Sequence, residues 1–514
     1  MPRSRVPQHN FVFSFIFILS LVFGRVCVAD GNHQLMIVVD GLRPDYVEED
    51  LMPNLYRWSR EGIVFKNHHA VFPTVTRVNA SSFATGCYPW KHGLLGNTVY
   101  FPKVEKAKGL STSSLENLRR IEESEGGRLL TAPTVGEILQ ASGKKMVAVS
   151  SGSAGSCYLL NPTVSGGAVF HTSYTLPEEL HESVLKKLGP PPEEGYPNEG
   201  PLVRAVDAYL DIALPDVGPD IVYLWMTEPD HTAHKHGMGA PETNRALALV
   251  DREFGRILSG LEEKGLLDKT NLFVTSDHGF SMHTGKPHMD LGMLLIQNGL
   301  KAGPDSEDVV ISEGAIYIQD GGAEKIEAVV ALLQRTPWVG PVFTRAKEKG
   351  SLEGSVPGTL SFETVRWGHE RSGDILVAPY WTDAANEYGF KGTTTNRGVA
   401  GHGSASRWDI HNTLLARGPD LKSGIESEAP TANVDLAPTL LKLCGVDPPE
   451  SMDGRVLAEA FLAADAGGAT EATDTDELER ESDGMFYRVE LRTSKAGSAS
   501  YVDYVRAARK KFGF

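Results

Sequence analysis

Seven side chains of this sequence could act together as metal ligands and a nucleophile. They are Asp40, Thr76, Asp230, His234, Asp277, His278 and His402. Asp40 ends the apolar run Leu35 to Val39 and is followed by Gly41, which places a carboxylate at the carboxyl end of a buried strand. Asp277 and His278 follow another apolar run, Leu272 to Thr275, and Gly279 permits close approach there. Asp230 and His234 are four apart, so one helical turn puts both on one face. His231 and His236 do not share that register with Asp230 and are read as surface or supporting residues. His402 stands between Gly401 and Gly403, an open context that a packed core histidine would rarely occupy. Thr76 opens a helix-compatible stretch that stops at Gly86. Its commonplace role would be a helix cap. Its chemical role would be a nucleophile, with the helix N-terminus and a metal favouring the alkoxide. The set of carboxylates, imidazoles and a hydroxyl suits divalent ions of borderline softness, and two zinc ions are the expectation.

The elements around these residues predict a layered α/β fold. Short apolar runs at Leu35 to Val39, Met146 to Val149, Ile221 to Trp225 and Leu272 to Thr275 read as strands of a largely parallel sheet. Helical stretches lie between them at Asn54 to Glu61, Val135 to Ala141, Leu202 to Leu214 and Thr243 to Lys264. In such folds ligands gather at the carboxyl ends of the strands, where the residues above are found. The catalytic core is expected over residues 30–287 and 370–462, with 288–369 an inserted cap. Residues 463–484 are acidic and poor in large apolar side chains, which predicts a flexible linker. Residues 485–514 carry two alternating runs, read as strands that pack back on the core.

The chain has 514 residues and a formal net charge of -16, so a broad nucleic-acid groove is not expected. Small phosphorylated substrates remain compatible, because bound cations reverse the local field. Hydrophobic residues make up 41%, enough for a sizeable core. Arg3 and Arg5 precede an apolar run from Phe11 to Phe23, and Cys27-Val28-Ala29 fits a cleavage site. Residues 1–29 are therefore expected to be a signal peptide directing a secreted or periplasmic protein, with a signal anchor as the alternative. No later segment is apolar for long enough to span a bilayer. Removal of the signal leaves Cys87, Cys157 and Cys444, which excludes a disulfide scaffold.

The ordered motifs resemble the nucleotide pyrophosphatase/phosphodiesterase group of the alkaline phosphatase superfamily. They run Asp40-Gly41-Leu42-Arg43, Thr76 to Asn79, Thr85-Gly86 to Asn97, Asp230 to His234, Asp277-His278-Gly279 and Gly401-His402-Gly403. The resemblance implies an alkaline-phosphatase-like three-layer sandwich with an inserted cap. It implies that Asp230, His234 and His402 hold one zinc, and that Asp40, Asp277, His278 and the Thr76 oxygen hold the other. It implies a phosphothreonine intermediate, with Asn97 donating a hydrogen bond to a phosphoryl oxygen. The eukaryotic nucleotide-cleaving members carry Thr-Phe-Pro-Asn at the nucleophile. Here the segment is Thr76-Arg77-Val78-Asn79, which is nearer the phosphonoacetate hydrolases. Cys87-Tyr88-Pro89-Trp90-Lys91 approaches the sulfatase motif but has Lys for Arg and lies beyond the helix that Thr76 opens.

The expectation is a zinc-dependent phosphodiesterase or nucleotide pyrophosphatase. The alternatives are a phosphonate or phosphomonoester hydrolase and a headgroup phosphotransferase. Charge bears on the choice. Two zinc ions, three aspartates and a threonine alkoxide sum to neutrality, which suits a diester monoanion. A monoester dianion wants one more cation, and Arg77 is the residue placed to weaken the diester preference.

Overall fold

The computed structural model describes residues 31–285, 290–463, 471–482 and 485–511. The expected signal peptide, residues 1–29, lies outside these. A nine-stranded sheet forms the centre. From one edge its strands are Ile425–Ser427, Ile63–Phe65, Leu414–Arg417, Thr270–Thr275, His33–Val39, Ile221–Met226, Met146–Ser150, Ala168–His171 and Tyr174–Leu176. The strand His33–Val39 pairs in parallel with both Thr270–Thr275 and Ile221–Met226. Met146–Ser150 extends the parallel block to Ala168–His171. Leu414–Arg417 and Tyr174–Leu176 run antiparallel near the two edges.

Because side chains alternate along a strand, His33–Val39 feeds two cores. Met36 and Val38 pack into one with Phe83, Tyr223 and Phe273. Leu35, Ile37 and Val39 pack into the other with Leu224, Leu247 and Phe254. Both faces are covered by helices, which is why these strands read as continuous apolar runs. The helix Thr76–Thr85 lies on the first face and Pro241–Glu263 on the second. The helical run expected from Leu202 to Leu214 is divided. An α-helix, Glu199–Ala208, continues as a wider turn, Tyr209–Val217, that accommodates Pro215.

Residues 309–379 carry a second sheet of five strands with the helix Gly322–Arg335 against it. It includes Ile375–Pro379, so this inserted layer passes the boundary expected at residue 369. The stretch expected to be a flexible linker requires a larger correction. Glu471–Ser482 is a strand, paired antiparallel with Met485–Ala496, which pairs in turn with Ala499–Lys511. The terminal sheet thus has three strands rather than two. Its inner side chains Tyr487, Val489, Leu491 and Val505 pack against Phe343 and Trp367 of the inserted layer. Trp381 Nε1 donates to the Val505 carbonyl at 2.8 Å. Cys87, Cys157 and Cys444 are free and buried.

Candidate active site

Three adjacent parallel strands bring three carboxylates together. Asp40 directly follows His33–Val39, Asp277 lies just past Thr270–Thr275, and Asp230 starts the helix Asp230–His236 after Ile221–Met226. The Asp230 N–H donates to the Asp40 carbonyl at 3.1 Å, which ties that helix to the sheet edge. Gly41 N donates to Asp277 Oδ1 at 3.1 Å, and Trp225 Nε1 donates to Asp40 Oδ2 at 3.0 Å. Arg43 is structural: its guanidinium pairs with Asp45 and donates to the Phe280 and Lys391 carbonyls at 2.6 and 2.8 Å.

The histidines are oriented from behind. Nδ1 of His234 lies 3.0 Å from the Ala400 carbonyl, Nδ1 of His402 is 2.8 Å from the Thr74 carbonyl, and Nδ1 of His278 is 2.9 Å from the Gly279 carbonyl. Each Nδ1–H donates to its carbonyl, which turns Nε2 toward the carboxylates, where it is an electron-pair donor whenever the ring is neutral. His234 Nε2 is 3.3 Å and His402 Nε2 3.5 Å from Asp230 Oδ1. His278 Nε2 is 2.9 Å from Asp277 Oδ2 and 3.5 Å from Asp40 Oδ1. The glycines beside His402 have a steric reason. A Cβ on Gly401 would sit 3.0 Å from His234 Cε1, and Gly403 has φ of +101°.

Thr76 is the first helical residue, not the cap, and the preceding Val75 makes no side-chain cap. Its Oγ1 lies 3.4 Å from His278 Nε2. The helix is capped from elsewhere: Asn97 Oδ1 accepts from Arg77 N at 3.0 Å, which leaves the Asn97 amide NH₂ as a donor beside the start of this helix. Asn79 accepts from Val71 N at 2.8 Å and donates to the Val71 carbonyl, which fixes the segment leading to Thr76. The seven candidate residues therefore form one cluster, and Asn97 reaches its edge through Arg77 N.

Two groups have ligand atoms all within 4.8 Å of one another: Asp230, His234 and His402, and Asp40, Asp230 and His278. The first matches the expected partition. In the second, Asp230 stands where Asp277 was expected; Asp277 Oδ1 accepts from Gly41 N, and its Oδ2 lies 2.9 Å from His278 Nε2. Asp40 Oδ1, Asp230 Oδ1 and Asp277 Oδ2 are buried without a hydrogen-bond partner. Such oxygens are costly unless a cation meets them, so the residues present fit metal ions.

Burial, together with the charges of Asp277 and Asp230, holds the Asp40 carboxyl well above the usual range. Burial opposes protonation of His234, but Asp230 outweighs it and raises the ring to about 9. Burial and the neighbouring His278 push His402 well below the ordinary histidine value.

The cleft has a volume of about 460 Å³ and is lined by Asp40, Thr76, Arg77, Tyr196, Asp230 and His234 among others. Tyr196 was not singled out from sequence. It stacks on His231 with centroids 4.6 Å apart, and Lys235 Nζ lies 3.9 Å from its ring centroid. Glu313 was also missed. It sits in the turn joining Val309–Ser312 to Ala315–Ile318 with φ of +57°, and its Oε2 accepts from Asn97 N at 2.7 Å.

The chain is similar to venom phosphodiesterase 2 of Crotalus adamanteus, 28% identical over 249 residues, covering 48% of this chain and 26% of that protein. It is similar to human ectonucleotide pyrophosphatase/phosphodiesterase family member 1, 26% identical over 265 residues, covering 51% of this chain and 25% of that protein. The chain thus spans about a quarter of the length of these curated relatives. Among solved structures, the alkaline phosphatase PafA variant superposes with a TM-score of 0.64 at 17% identity, covering 85% of this chain and 100% of that one. An inactive variant of murine ectonucleotide pyrophosphatase/phosphodiesterase 5, solved with AMP, gives 0.57 at 20% identity, covering 82% and 96%. These likenesses establish an alkaline-phosphatase-like α/β fold. The family model described as type I phosphodiesterase / nucleotide pyrophosphatase matches residues 34–404, and the chain belongs to that family.

Proposed function

We propose that the chain is a zinc-dependent phosphodiesterase or nucleotide pyrophosphatase that works through a phosphothreonine at Thr76. The observation that carries this reading is the convergence of three unpartnered, buried carboxylate oxygens with imidazole Nε2 atoms beside the Thr76 hydroxyl. Asp230, His234 and His402 would hold one ion, and Asp40 and His278, with Asp277 and Asp230 beside them, the other. When bound, zinc supplies a lowered hydroxyl pKa and Lewis acidity toward phosphoryl oxygens.

The chain's own groups do the rest. Thr76 Oγ1 forms a bond to phosphorus as the bond to the leaving oxygen breaks; the hydroxyl proton passes to solvent and the leaving oxygen takes one up. Water then displaces Thr76 and restores its hydroxyl. The Asn97 NH₂, held in place through Arg77 N, donates to a phosphoryl oxygen. The names of the relatives support a phosphodiester or nucleotide substrate. The basic, apolar N-terminus supports export. Among the described residues no helix is long and apolar enough to cross a membrane.

The test combines metal analysis with turnover of thymidine 5′-monophosphate p-nitrophenyl ester. Expected are two zinc ions per chain, loss of activity on chelation and recovery on adding zinc. Thr76→Ala is expected to keep its zinc and lose roughly 10³-fold or more in kcat. Full activity of verified metal-free protein, or undiminished turnover by Thr76→Ala, overturns the reading.

A further inference from the structure

Arg77 follows the nucleophile and lines the same cleft as Thr76, Asp40, Asp230 and His234. Its backbone N–H is held by Asn97 Oδ1 at 3.0 Å, so the residue is fixed at the end of the cleft where Asn97 presents its NH₂. The side chain is different. Nε is buried without a hydrogen-bond partner. No described residue forms an ion pair or side-chain hydrogen bond with the guanidinium, although Glu313, Asp40, Asp230 and Asp277 act on it through space. The carboxylate that acts on it most strongly through space, Glu313, makes its hydrogen bonds elsewhere: its Oε2 accepts from Asn97 N at 2.7 Å and Thr98 N at 3.3 Å.

A guanidinium carries five donors in a planar fork that matches phosphate oxygens. Buried without partners it is costly, and a structural arginine satisfies them, as Arg43 does through Asp45 and two carbonyls. Arg77 keeps its donors free beside the residue that would attack phosphorus. A diester presents two unesterified oxygens there and a single negative charge. A monoester presents three such oxygens and a second charge, the feature an added cation distinguishes.

We propose that Arg77 recognises the additional anionic oxygen of a phosphate monoester, so that this cleft turns over monoesters as well as diesters. The proposal rests on the phosphoryl-transfer reading above and adds a substrate class to it. Bond making and breaking are unchanged: the same phosphorus–oxygen bond breaks, and only the third phosphoryl substituent differs, a free oxygen instead of an ester.

The test uses the zinc-loaded wild type, Arg77→Met and Arg77→Lys, with p-nitrophenyl phosphate and p-nitrophenyl methyl phosphate, which share a leaving group. Zinc content and melting temperature are measured on each protein. Arg77→Met is expected to lower kcat/KM for the monoester about 30-fold or more and for the diester less than about fivefold, with Arg77→Lys recovering part of the monoester loss. Calorimetric titration with inorganic phosphate is expected to show affinity weakened about tenfold in Arg77→Met, while dimethyl phosphate changes little. Equal losses on both esters, or unchanged phosphate affinity, overturn the proposal. If the wild type hydrolyses neither ester, the phosphodiesterase reading falls, and the phosphate titration alone decides the role of Arg77. If Arg77→Met does not fold, the ester ratio and phosphate affinity of Arg77→Lys decide it.

Discussion

At the carboxyl ends of the central strands, Asp40, Asp230 and Asp277 each keep one buried oxygen without a hydrogen-bond partner. Where the terminal sheet meets the core, a second buried histidine–aspartate cluster keeps none. His69 Nδ1 lies 2.8 Å from the Thr431 carbonyl and Nε2 2.8 Å from Asp503 Oδ1, while Ser494 Oγ donates to Asp503 Oδ2 at 3.0 Å. Beside it Tyr501 donates to Asp435 at 2.9 Å and receives a hydrogen bond from Arg455. The residue types are shared; the satisfaction of their polar atoms is not. A closed network serves docking, and an open one is poised for a ligand that completes it.

The largest effect that would break this comparison comes from Asp230, which belongs to both candidate metal groups. Asp230→Ala is expected to empty both ion sites and to cost about 10³-fold or more in kcat/KM, with zinc content read by elemental analysis. Retention of both ions would mean that the open cluster is not the metal site.

Asp503→Asn probes the closed cluster. Burial opposes the Asp503 charge, but the hydrogen bond and charge of His69 outweigh it and hold its carboxyl below the usual range. A depressed carboxyl contributes stability above the unfolded value of about 4 and loses it as pH falls through the folded value. The variant is therefore expected to lose about 2 kcal/mol at pH 7, with the difference closing at an acid pH below the folded value, and to keep the turnover of its folded fraction. Denaturant unfolding at the two pH values measures this. A selective loss of activity would place the terminal sheet in the chemistry.

The smallest effect sharpens the contrast. The Asp40 carboxyl is raised by burial and by two neighbouring carboxylates, so its charge opposes folding at neutral pH and stops doing so once it is protonated. In chelated protein, Asp40→Asn is expected to stabilise by about 1 kcal/mol, seen as a higher melting temperature, and the gain is expected to vanish in acid. A destabilised apo variant would show that the open cluster is closed by something other than metal.

Much of the site was legible because its residues stand where a pattern changes. Asp40 and Asp277 end apolar runs, Asp230 and His234 share a helical face, and His402 sits between glycines that a side chain could not replace. Glu313 gave no such signal. Its partner Asn97 is 216 residues away, and nothing local marks a glutamate in a hairpin turn as reaching another layer. Tyr196 lies in a proline-rich loop without periodicity, so its stacking on His231 emerges only from the fold. The strand Glu471–Ser482 was hidden for a different reason. Its described side chains lie mostly in solvent, so it lacks apolar alternation and is specified by the backbone of its neighbour.

The hydrogen bond from Asn97 N to Glu313 links two parts of the chain that could otherwise diverge independently. Exchange of the hairpin spanning residues 309–318 between family members is then not a neutral graft, even though it carries none of the proposed metal ligands. It transplants the support for the amide proposed to face phosphorus, so chimeras designed only around pocket shape would inherit a misaligned donor.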